Sequence, residues 1–106
     1  MTFKEQLNYK EYEHQYKEND VLLLKDKKEL EKIDKILINT DSPDAFINSN
    51  WYLTKEKMGL LSTKHLKVLN CVSWHMGIPF YNLQTIENIL SIVYLGEFYL
   101  KKQKNN

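Results

Sequence analysis

Apolar residues along most of this chain recur every three or four positions, the spacing of amphipathic helices. Thr2 and Glu5 make a capping box for a helix running to about Glu18, with Tyr9, Tyr12 and Tyr16 along one face. Asp26 and Glu29 make a second box. It opens a helix to about Asn39 whose apolar positions are Leu30, Ile33, Ile36 and Leu37. Thr40 to Pro43 is loop chemistry, with Ser42 as N-cap and Pro43 at the first position of a short helical turn. Thr54 to Leu60 is a further short helix. Leu61 and Leu66 then bracket Ser62 as a hydrophobic staple around an N-cap, and Leu66, Leu69, Val72 and Met76 follow as one apolar stripe. Gly77 stands in the position of a C′ glycine, and Pro79 blocks continuation. A last helix spans about Leu83 to Leu100, with Ile86, Ile89, Leu90 and Val93 completing its apolar face.

The pattern therefore predicts an all-α fold, a single compact bundle of four to six helices over residues 1–106, with a polar tail from about Lys101. Val21 to Leu24 keeps an α+β alternative open, in which it forms a minor two- or three-stranded element with Trp51 to Leu53. No stretch is long and apolar enough for a membrane span, and the first residues lack the apolar core of a secretion signal. A single cysteine cannot form an internal disulfide. The expected location is the cytoplasm.

The segment Leu69 to Asn88 resembles a helix-turn-helix: small Ser73, Gly77 at the turn, and Val72, Met76, Ile78, Leu83 and Ile86 at the apolar positions. The resemblance implies a second helix entering the DNA major groove, with Gln84, Thr85 and Asn88 at base edges and Lys64 or Lys67 near phosphate. Glutamine and asparagine pair bidentately with adenine, so the implied site is rich in A·T pairs.

Charge refines this picture without deciding it. All 15 basic residues are lysines. The chain thus lacks the planar fork that reads guanine, phosphate or carboxylate in bidentate fashion. Residues 1–50 carry eight lysines against eleven carboxylates, and residues 51–106 carry seven against three. Abundant lysine and asparagine, with alanine only at Ala45, suit an AT-rich genome such as that of a phage or other mobile element.

Catalytic chemistry is hard to assemble. Cys71 and His75 stand at i, i+4, but a zinc centre wants four ligands, or three and a water. Gly59, Gly77 and Gly96 are isolated and form no phosphate loop. The carboxylates of residues 26–34 are interleaved with lysine as on a solvated helix face. The expectation is a protein that is not an enzyme and needs no cofactor or metal.

Aromatic residues point instead to binding. On the last helix Tyr94, Leu95 and Phe98 project opposite the apolar face, and with Phe80 and Tyr81 they supply the anchors of a protein interface. The function read from the chain is a small intracellular binding protein that docks on a protein partner, as phage or plasmid inhibitors, immunity proteins and accessory regulators do. The Phe98 patch would also serve a homodimer. The alternative is a DNA-binding transcription regulator that uses the helix-turn-helix.

Overall fold

The computed structural model describes residues 16–40, 43–75, 78–87 and 92–103. Its elements in chain order are strand β1 (Val21–Leu24), helices α1 (Lys27–Ile38), α2 (Pro43–Ile47) and α3 (Lys55–Leu61), strands β2 (Leu66–His75), β3 (Ile78–Thr85) and β4 (Ile92–Gly96), a 3-10 turn (Glu97–Tyr99), and strand β5 (Leu100–Lys102). The all-α bundle is overturned: β1, from the first half of the chain, joins the four strands of the second half in a five-stranded sheet of order β4-β3-β2-β1-β5, antiparallel at every pairing.

Only three residues, the 3-10 turn, connect β4 at one edge of this sheet to β5 at the other. In a flat sheet those edge strands would stand about 19 Å apart, four spacings of roughly 4.8 Å. The backbone from Gly96 to Leu100 reaches at most about 14 Å when extended, and less through a 3-10 turn. The sheet must therefore coil until its edges approach, giving a partly closed barrel. β2 supplies the coiling through register shifts between Val68 and Asn70 and between Cys71 and Ser73, each of which adds a bulge and local twist.

Register assigns the inner face. Leu22 stands opposite Leu66, Leu24 opposite Leu100, Val68 opposite Leu83 and Tyr81 opposite Leu95, and all eight side chains are buried. Tyr81 is tied to the last turn as well: its hydroxyl donates to Glu97 Oε2 at 2.5 Å and accepts from the Tyr16 amide at 3.3 Å. The outer face of β2, β3 and β4 carries Lys67, Asn70, Asn82, Gln84 and Ile92, none of them buried.

At its Phe80 end the outer face is covered by the helical segment. Trp51 packs edge-on against Phe46, Phe80 and Phe98, with ring centroids 5.0–5.8 Å apart. The Leu53 amide donates to the Tyr99 hydroxyl, and the Lys25 amide to the Tyr99 carbonyl. Leu30, Ile33 and Leu37 of α1 complete the core.

Several sequence expectations are met differently in detail. α1 matches its predicted span, yet Asp26 makes no side-chain cap and instead accepts from Lys101 Nζ at 2.8 Å. The short helix expected from Thr54 to Leu60 is α3, which Thr54 precedes and caps, accepting from the Lys57 amide. Ser62 closes α3 instead of opening a new helix, and the predicted helices beyond it are β2, β3, β4 and β5. Val21–Leu24 is a strand, but it pairs with β2 and β5 and not with Trp51 to Leu53, which lies in irregular backbone. Lys101 and Lys102 belong to β5 and are not tail. The first predicted helix lies outside the described residues up to position 15, and Tyr16 to Asp20 is not helical.

Candidate ligand groove

Alternation along a strand places neighbouring residues on opposite faces, so the aromatic anchors expected on one helix face are dispersed. Phe80, Tyr81, Leu95 and Phe98 are at most 2% exposed. Tyr94 is half-buried and stacks on Phe80 at 5.6 Å. Phe80, Tyr81, Leu95 and Phe98 are therefore packed in the core and not exposed on one face, and Tyr94 is only partly exposed.

The described residues of the helix-turn-helix-like segment lie mainly in β2 and β3, which pair antiparallel, and none of them is helical. Gln84 stands beside Lys67 across the strand pair, Thr85 points inward opposite Leu66, and Lys64 lies half-buried in the connection after α3. Asn88 lies outside the described residues. Cys71 is half-buried in β2, and burial is the main cause that pushes its thiol upward, away from the reactive thiolate. Among the described residues no group of three His, Cys, Asp or Glu side chains could hold a metal ion.

The structure does bring together a set that the sequence disperses. Between α1 and α3 lies a groove of about 690 Å³, within the size range of ligand sites. Leu30, Leu53 and Met58 give it an apolar floor, Glu31, Asp34 and Lys35 line it from α1, and Lys55, Gly59 and Ser62 from the α3 side, with Lys25 and Lys27 at one end. Four ammonium groups thus stand against two carboxylates. One of these carboxylates is already engaged: the Tyr52 hydroxyl donates to Asp34 Oδ1 at 2.5 Å, bracing the segment before α3 against α1. That hydrogen bond is the largest cause that holds the Tyr52 phenol up at about 12, with burial second.

Gly59 is unusual in its place. Inside a helix, glycine costs about 1 kcal/mol relative to alanine, because the unfolded chain loses more freedom on folding. A methyl group added at Gly59 would meet nothing within 4 Å, so core packing does not require glycine there. It keeps the groove wall low.

Lys25 has the most distinctive environment. It is half-buried, and desolvation is the main cause that lowers its ammonium below the ordinary lysine range, opposed by the fields of Glu29 and Glu97. The side-chain ion pairs of the described residues, His65–Glu87 and Lys101–Asp26, do not include it.

No local motif announces this groove. Its lysines are spread from Lys25 to Lys55 among many others, and the charge sum over residues 1–50 is negative. The one available signal is a glycine within a short helical pattern, at Gly59.

No family model, no curated protein and no solved structure matches the chain.

Proposed function

We propose that the chain is a non-enzymatic binding protein that docks on a protein partner, and that the groove between α1 and α3 receives an acidic, partly apolar segment of that partner. The observation that carries this reading is an apolar floor framed by an excess of lysine over carboxylate. Apolar side chains of a bound segment gain from leaving water on Leu30, Leu53 and Met58, and its carboxylates meet the rim. Gly59 adds support, since a local rule of helix stability is broken where the break opens space for a ligand.

The probe that tests it is a short synthetic helical peptide with leucines at i, i+3 and i+7 and glutamates between them, fluorescently labelled for anisotropy. Wild-type protein should bind it, with affinity falling as salt screens the rim. Gly59→Phe should fill the groove and abolish binding while leaving circular dichroism and the melting midpoint unchanged or raised. If the peptide fails to bind wild type, or binds Gly59→Phe equally well, the groove is not the docking site.

A further inference from the structure

Building on the groove reading, we propose that Lys25 is its anion receptor, seating one carboxylate of the acidic segment in a partly dehydrated position that the rim lysines do not offer. Lys25 lies at the end of the groove and also lines an adjoining cavity of about 520 Å³ bounded by Tyr16, Glu97, Leu100, Lys101 and Lys102. It is the residue common to both. A half-buried ammonium without an ion pair is a cost that folding does not require, since an aliphatic side chain could fill the same space.

Glu29 acts on Lys25 as an exposed neighbour with no ion pair between them, and the other nearby carboxylates are engaged elsewhere. Glu97, which borders the adjoining cavity, accepts from the Tyr81 hydroxyl at 2.5 Å, Asp26 takes Lys101 at 2.8 Å, and Asp34 takes Tyr52. The position thus opens on two cavities, with its ammonium half-buried and held in no ion pair. A carboxylate arriving there forms a charge-assisted hydrogen bond in a medium of lower effective dielectric, where attraction is stronger and salt screens it less. Lys27, Lys35 and Lys55 are exposed and act through screened attraction. The site thus combines a salt-sensitive rim with a salt-resistant centre.

The test uses the same glutamate-rich peptide. Lys25→Met should weaken binding about ten- to hundredfold, the usual value of a hydrogen bond to a charged group, at low and at high salt alike. Lys27→Met should weaken it only at low salt, and Lys25→Arg should retain most of the affinity. Because a variant can alter folding, a second readout uses the wild type: amine acetylation followed by mass mapping, with and without peptide. Lys25 should be protected about tenfold or more by saturating peptide, while Lys32, exposed on α1 and outside the groove, should label at the same rate. If the peptide binds wild type while Lys25→Met retains full affinity and Lys25 stays unprotected, the receptor claim falls and the groove reading stands. Absence of peptide binding to wild type overturns both.

Discussion

Gly96 shows how tightly single positions are held at the corner where β4 turns toward β5. A methyl group there would run into the Phe98 ring and lie 3.0 Å from Phe80, in the middle of the aromatic cluster. The glycine is needed for space and not for backbone freedom, since its φ is −73°. Gly96→Ala should therefore cost about 1–3 kcal/mol by overpacking, seen as a melting midpoint lower by roughly 4 °C or more. An unchanged midpoint would mean that Phe98 swings away freely. Asn19 is the opposite case: it adopts a positive φ of 75° that asparagine tolerates, in a turn where the Lys17 amide donates to Asp20. The Asn19 amide also donates to the Val68 carbonyl, which sets the entry to β1.

Among elements, the helices were legible in the sequence and the long strands were not, for a physical reason. α1 carries helical spacing at Leu30, Ile33 and Leu37, and α3 has a working N-cap at Thr54. β2 is disguised by its bulges. Each shift of register resets the two-residue alternation, so Leu66, Leu69 and Val72 stand three apart and imitate a helix face. In the structure Leu66 is buried, Leu69 half-buried and Val72 exposed. The apparent last helix has a similar origin, since Leu83 and Val93 are cross-strand partners and not neighbours on a helix. Aromatic and β-branched residues in Ile78–Thr85 and Ile92–Gly96 were the available strand signal. The groove was illegible because it exists only where α1 and α3 meet.

Glu87, just beyond β3, clasps the connection between α3 and β2. Its carboxylate accepts from His65 Nδ1 at 2.6 Å and from the His65 amide, and these bonds hold it down at about 2 from an ordinary 4.5. A carboxyl lowered on folding stabilises the folded state in full above its unfolded value and loses that contribution as pH falls through its folded value. The melting midpoint of wild type should exceed that of Glu87→Gln above pH 4.5, and the two should converge as pH falls toward 2. A gap that is unchanged across this window would show that the clasp contributes nothing to folding.

At the scale of the molecule, a coiled sheet and a helical segment share one core, and Trp51 joins them through three ring contacts. Edge-on aromatic pairs contribute about 0.5–1.5 kcal/mol each beyond their buried area. The ring contacts tie the covering helices to the barrel, a division that would put the proposed docking groove on a rigid support. Among the described residues no helix is long and apolar enough to cross a membrane.

The docking claim is tested most directly by amide chemical shifts in isotope-labelled wild-type protein titrated with the leucine–glutamate peptide. Saturable shifts should concentrate at Lys25, Leu30, Asp34, Tyr52, Met58 and Gly59, while Val68, Leu83 and Leu95 in the barrel interior stay in place. Shifts concentrated instead on Lys67, Asn82, Gln84 and Ile92 would move the interaction to the outer face of the sheet and contradict the groove as the docking site.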